Sequence, residues 1–361
     1  MNLKNGTIVA ASFSLLIYWI LPYDSIFVEY YYSNILFVIV RMTFDYSIGF
    51  LPFPLIYLLI AFLIYNVIKY TLKLKQRFKT GYENRVLLSK LIGDCIYVFA
   101  VTIILFYWFW AYNYKRVSFE KRNNFQSIKI EEDWLFCEIE DAHLYMMDLR
   151  KNLDNLEKIP ANLENQCRIA LRSILTVCGY KPLGRVRVRS IVPEGSLLIW
   201  STAGVYLPFV SEGHIDKGLH PITQPFTMSH EMTHGYGVTK ESSCNFIAFL
   251  SCINSKNEYL QYSGWMGYFR YLLSACRKAN RERYRAFVET MDEEIRTDLH
   301  SIYEKLQKYP ELLPLLRDRI YNSYLKTHGI KEGTLNYSRM IHLAANWQKN
   351  NNSYLINRSE Y

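Results

Sequence analysis

Three residues near the middle of the chain have the types and spacing for hydrolytic metal chemistry. Ser229 to Phe246 reads S-H-E-M-T-H-G-Y-G-V-T-K-E-S-S-C-N-F, with His230, Glu231 and His234 in the order H-E-x-x-H. On a helix, residues i and i+4 share one face, so these two imidazoles can hold one zinc ion per chain. Glu231 lies roughly 100° round the helix from His230, within reach of a water on that ion. Zinc acidifies such a water and a carboxylate takes its proton, which is the chemistry of peptide-bond hydrolysis. The bland reading is a helix with two ordinary surface histidines. The context opposes it: Thr227 is placed to cap the helix, and Gly235 and Gly237 follow at once, as for a helix that must stop and turn.

Catalytic zinc sites usually take three protein groups and leave a fourth position for water. Glu241 is the first acid beyond the two glycines. It falls in the first turn of a second helix expected from near Thr239, which runs into the apolar stretch Phe246 to Cys252. Asn245, one turn on, faces the same way and is expected to orient a ligand histidine. Acids at helix N-termini are also favoured by the dipole alone. Cys244, His214 and Asp216 are the competing donors, although Glu212, His214 and Asp216 read as a solvated loop.

The pattern is similar to that of the membrane zinc endopeptidases of the CAAX-prenyl-protease and heat-shock-protease kind, the gluzincins, in which H-E-x-x-H is followed by E-x-x-A-D. This chain has Cys244 and Asn245 where that pattern has Ala and Asp. A closer resemblance covers nearly the whole chain. It is to a domain-of-unknown-function family of bacterial membrane proteins with a zincin-like motif. It rests on Val28 to Ser33 (V-E-Y-Y-Y-S), Gly204 to Phe209 (G-V-Y-L-P-F), S-H-E-M-T-H-G-Y-G, Asn245 to Cys252 (N-F-I-A-F-L-S-C) and Tyr321 to Lys326 (Y-N-S-Y-L-K). Where that family usually reads E-D-E-A-N, this chain reads E-S-S-C-N. Ser243 stands in place of the second acid, which favours Glu241 as the ligand. The resemblance supplies no biochemical role.

The elements that must carry this site begin in a membrane. With 361 residues the chain can hold a membrane region and one domain of ordinary size. Its 30 tyrosines suit membrane interfaces. Thr7 to Leu21 reads as an uncleaved signal anchor, Leu51 to Leu72 as a second span and Leu91 to Tyr112 as a third, ending in Trp108 and Trp110. Asp94 sits near the water-reachable end of that third span. Between them, Ile26 to Phe50 mixes Glu29, Arg41 and Asp45 with aromatics and reads as an amphipathic helix in the interface. The membrane domain is thus 1–112, with spans near 7–22, 51–72 and 91–112. The net charge of +9 is not a nucleic-acid signal. Lys69 to Lys90 holds seven basic residues and one acid, so this stretch, which contains the short loop 73–90, carries six of the nine charges. By the positive-inside rule it is cytoplasmic, in a multi-pass protein of the bacterial inner membrane whose catalytic domain faces outward. Seven cysteines without C-x-x-C spacing show no zinc knuckle or redox motif.

Residues 113–130 read as a polar linker, 131–350 as the catalytic domain and 351–361 as a frayed tail. Helices are expected over Glu131 to Leu156, Leu163 to Cys178, Trp265 to Ala279, Glu282 to His300, Pro310 to Thr327 and Leu335 to Trp347. Strands are expected over Arg185 to Val192 and Ser196 to Val210. Gly204, Val205, Tyr206 and Leu207 are the candidate edge strand on which an extended substrate adds as one more strand. Tyr206, His214, Tyr321 and Tyr337 are candidates to stabilise the oxyanion. The expected whole is three transmembrane helices and a mostly helical, zincin-like α+β domain with a small sheet. The expected function is a membrane-anchored zinc metallopeptidase acting on a protein or peptide, including membrane-associated ones. The motif lies more than 100 residues after the last span and Gln224 to Lys240 is polar, which disfavours an intramembrane protease. The alternative is a non-catalytic membrane-bound binding or sensor protein on the same scaffold.

Overall fold

Apolar runs of about 20 residues form helices because intrahelical bonds satisfy every backbone group. Three such helices stand near the N-terminus. The computed structural model describes residues 3–80, 84–312, 323 and 339–356. The chain divides into two compact units, Met1–Val117 with Leu207–Glu212, and Ser118–Tyr206 with Gly213–Tyr361.

The first unit contains α1 (Leu3–Ile20), a π-helical stretch (Val28–Leu36), α2 (Phe37–Ser47), α3 (Ile56–Lys79), α4 (Asn84–Phe109) and a 3₁₀ turn (Ala111–Lys115). Leu3–Ile20, Ile56–Lys79 and Arg85–Phe109 are long and apolar enough to cross a membrane. None of the residues of α3 is buried, and Phe62, Leu63, Ile64, Tyr65 and Val67 are all exposed. Lys4 and Tyr70 both bond to the Asp94 carboxylate, which ties α1, α3 and α4 together.

The charges of Ile26 to Phe50 do not face water, as an interfacial helix would have them. Glu29, Arg41 and Asp45 are buried. Arg41 pairs with Asp45 one turn on at 2.6 Å, and Glu29 takes both the Nε (2.9 Å) and Nη2 (2.6 Å) of Arg116. Arg116, Lys115 and Asn113, which read as linker, are likewise buried in this unit. Ion pairing lets these residues leave water, and the Arg116 partner of Glu29, far along the chain, is invisible to local polarity.

The second unit is mostly helical: α5 (Phe119–Arg122), α6 (Glu132–Arg150), α7 (Leu163–Val177), α8 (Gln224–Gly235), α9 (Glu241–Ile253), α10 (Glu258–Ala279), α11 (Arg281–Thr290), α12 (Glu293–Gln307) and α13 (Arg339–Asn351). Every residue of α9 from Ser242 to Ile253 is buried, with α7, α8, α10 and α13 packed round it. From Phe246 to Ile253 the helix is apolar except for Ser251, and such a run belongs in a core. The single helix expected over Glu282 to His300 is two. Asp292 starts α12 by accepting the N–H groups of Glu294 (3.0 Å) and Ile295 (3.2 Å), an N-cap that the periodicity reading ran through.

The sheet has three strands in the order β1 (Arg187–Ile191), β3 (Glu212–Asp216), β2 (Gly204–Leu207), so β2 is an edge. The second β stretch is shorter than expected. Leu198–Trp200 is a 3₁₀ turn, and strand geometry starts only at Gly204. Glu212, His214 and Asp216 do not form a solvated loop. They lie on the central strand, all of whose residues are buried. Polar partners make this burial possible. Asp216 accepts from the N–H groups of Gly195 (2.8 Å), Leu197 (2.7 Å), Leu198 (3.2 Å) and Gly218 (2.7 Å). Glu212, in the first unit, accepts from the Leu55 N–H at 2.7 Å.

Candidate metal centre

The H-E-x-x-H segment is helical, as its spacing requires, and α8 presents His230 and His234 on one face. Thr227 does not cap it. The helix begins three residues earlier with Pro225 in its first turn, and the Thr227 hydroxyl donates back to the Thr223 carbonyl at 2.9 Å. At the other end Gly237 is left-handed (φ 85°). There the Val238 N–H returns to the Thr233 carbonyl (3.3 Å) and the Gly237 N–H to that of His234 (2.8 Å), the paired bonds of a Schellman cap. Gly237 therefore makes the turn. Gly235 is still helical and answers a different need: a Cβ there would lie 2.4 Å from Val186 and 3.1 Å from the Tyr206 ring.

That turn does two things for the site. It sets α9 running back beside α8 with Glu241 in its first turn, and the preceding Lys240 ammonium pairs with Glu120 at 3.3 Å. It also puts the Val238 carbonyl 2.9 Å from His234 Nδ1. A carbonyl only accepts, so Nδ1 carries the proton and the Nε2 lone pair is left to face the cluster.

Three donor groups converge there. His230 Nε2 lies 3.1 Å from His234 Nε2 and 3.1 Å from Glu241 Oε2, and His234 Nε2 lies 3.5 Å from Glu241 Oε1. Ligand atoms about 2.0–2.1 Å from a tetrahedral zinc are roughly 3.3–3.4 Å from one another, so these separations fit the ion. Among the described residues, His230, His234 and Glu241 form the group of three that can hold a metal. His230, His234 and Glu241 are 12%, 8% and 21% exposed at their side chains, so the cluster opens on the Glu241 side.

Cys244 is not part of it. Its Sγ is 3.4 Å from His234 Nδ1, behind the ring and away from Nε2, and burial pushes its thiol up to about 11. His214 and Asp216 are held in the central strand instead. Asn245 does not orient His234, because the Val238 carbonyl fills that place; its own Nδ2 is buried without a protein partner, as is His230 Nδ1. A backbone carbonyl brought round by a cap leaves no residue-type signal, and this is why sequence reading missed it.

Glu231 sits beside the cluster, 5% exposed, under the sheet. A Cβ at Gly204 would lie 2.7 Å from Glu231 Oε1, and one at Gly213 would lie 3.0 Å from Glu231 Cβ. Two glycines on neighbouring strands make the room this carboxylate occupies. Gly204 on the edge strand is therefore against Glu231, and the Tyr206 ring is against Gly235, while Leu207 belongs to the other unit. Gly213 passed unnoticed because a glycine before a lone histidine reads as loop. Tyr321, Tyr337 and, apart from Ser323, the Tyr321 to Lys326 stretch lie outside the described residues.

The charges are tightly coupled. Burial raises the Glu231 pKa; the two histidines pull it down and Glu241 pushes it up, with a net rise. Burial opposes the His234 imidazolium, yet Cys244 and Glu241 outweigh it and hold the pKa well above the usual histidine value. Cys244 is a neutral thiol at pH 7, so Glu241 is the partner that counts. Glu241, desolvated but facing two imidazoles, is held well below the usual carboxylate range. A proton on His234 thus competes with any metal. Metal affinity is expected to rise roughly tenfold per pH unit through neutrality, with release of about one proton. Calorimetry of zinc binding in buffers of different ionisation enthalpy measures that proton; an affinity flat from pH 6 to 8 would contradict the coupling.

Among the described residues, these features define a mostly helical protein with three long apolar helices and a partly buried His-His-Glu cluster. The chain belongs to the family described as protein of unknown function (DUF3810), whose model matches residues 32–345. No curated protein and no solved structure matches it.

Proposed function

We propose that the protein is a membrane-anchored zinc metallopeptidase. The observation that carries this reading is the convergence of His230 Nε2, His234 Nε2 and a Glu241 oxygen, with the Glu231 carboxylate beside them. His230, His234 and Glu241 would hold zinc, which supplies Lewis acidity and lowers the pKa of water at the open position. Glu231 is the general base. Its raised pKa brings it closer to the working pH, where base and conjugate acid are both accessible. It takes the proton from the attacking water and returns it to the leaving amine. The edge strand β2, whose Gly204 adjoins Glu231, is the surface on which an extended protein or peptide pairs. Three helices long and apolar enough to cross a membrane support anchoring at a lipid bilayer.

Zinc content and cleavage of an unfolded protein, measured together on the full chain in detergent, test the reading. One zinc per chain with zinc-dependent cleavage is expected. One zinc without cleavage of any unfolded substrate would assign the scaffold to binding or sensing instead, and a chain that takes up no zinc would remove the site.

A further inference from the structure

At the Phe109 end of α4 lies a charge that no carboxylate among the described residues pairs with. Lys115 is 2% exposed. Its Nζ lies 3.5 Å from the centre of the Tyr23 ring and 4.5 Å from that of Tyr18. Its backbone is fixed, since the Lys115 carbonyl accepts the Ser25 N–H at 2.8 Å. The neighbouring Arg116 is different, being paired through two hydrogen bonds with Glu29. Among the described residues no carboxylate pairs with Lys115. Two cation–π contacts offset only part of the cost of taking an ammonium out of water. Burial pulls the Lys115 pKa down. A buried cation held rigidly and lacking a counter-charge is suited to an anion brought from outside.

The surroundings say which anion. Tyr18, Tyr107, Trp108 and Tyr112 cluster at this end of α1 and α4, with Trp108 Nε1 donating to Ser14 Oγ (2.9 Å) and the Tyr112 hydroxyl to the Ser14 carbonyl (2.8 Å). Such an aromatic layer at the end of an apolar helix marks headgroup depth. Tyr23, half-exposed, is the outer wall, next to the exposed Trp19 and Ile20. We propose that Lys115, between Tyr18 and Tyr23, binds the phosphate of an anionic phospholipid headgroup. The lipid source rests on reading α1, α3 and α4 as membrane spans and is independent of the metal site.

The test is the melting of full-length protein in detergent micelles, without additive or with phosphatidylglycerol, phosphatidylcholine or inorganic phosphate, paired with lipid retention by native mass spectrometry. Phosphatidylglycerol alone should raise the melting temperature of wild type. Lys115→Gln should melt at or above wild type without lipid, lose the phosphatidylglycerol response and retain about fivefold less of that lipid, whereas Lys115→Arg should keep both. A purely structural cation–π role predicts the reverse: Lys115→Gln melting lower under every condition with its lipid response intact. That result overturns the proposal, and so does equal stabilisation by inorganic phosphate, which would make the ligand a soluble anion. If Lys115→Gln fails to fold, Tyr23→Leu at its half-exposed position decides. Weaker phosphatidylglycerol retention supports the site and unchanged retention counts against it.

Discussion

Glu231→Gln is expected to keep about one zinc per chain and to lose hydrolysis by roughly 10²- to 10⁴-fold. The two expectations come from different parts of the geometry. The three convergent donors are His230, His234 and Glu241, and Glu231 is not among them. The metal therefore stays. Glutamine has the same shape, so it fills the space under Gly204 that the carboxylate fills. It cannot accept the proton of the attacking water, and so the base is lost while the scaffold is preserved. Elemental analysis and hydrolysis of an unfolded protein, run on one preparation, read both. A purified Glu231→Gln that cleaves as well as wild type would show that the base is another group.

Glu241→Ala is expected to lose most of its zinc, with affinity falling about 100-fold or more, since even partners that only orient a ligand contribute 10- to 100-fold. Two imidazoles alone leave the ion under-coordinated. The substitution also removes the charge that holds the His234 proton. The fold should persist, because α9 is anchored by Ser242 to Ile253 in the core and Glu241 itself is partly exposed. Cys244→Ser is the control. Its sulfur lies on the Nδ1 side of His234, so zinc should be retained. Full occupancy in Glu241→Ala together with loss in Cys244→Ser would exchange their roles.

The motif was legible in the sequence because its chemistry is written in side chains at one helical spacing. His230, His234 and Glu241 come together as read, and the apolar runs become the three long helices. What was not legible depends on partners that local residue type does not announce. Glu212-Gly213-His214-Ile215-Asp216 has one aliphatic residue in five and reads as loop, yet it is the central strand. Asp216 there is satisfied by four backbone N–H groups upstream and downstream of it. Glu29, Arg41 and Asp45 read as part of an amphipathic helix in the interface, yet they are buried in ion pairs, Glu29 with Arg116 and Arg41 with Asp45. The support of His234 by the Val238 carbonyl is a backbone contact created by the Gly237 turn, and no residue type announces it.

The ligand set is tested most directly by zinc X-ray absorption on the full-length, zinc-loaded protein. The expected first shell is nitrogen and oxygen only, at about 2.0–2.1 Å, with the scattering of two imidazole rings. A sulfur shell at about 2.3 Å, or the signature of a single imidazole, would contradict it.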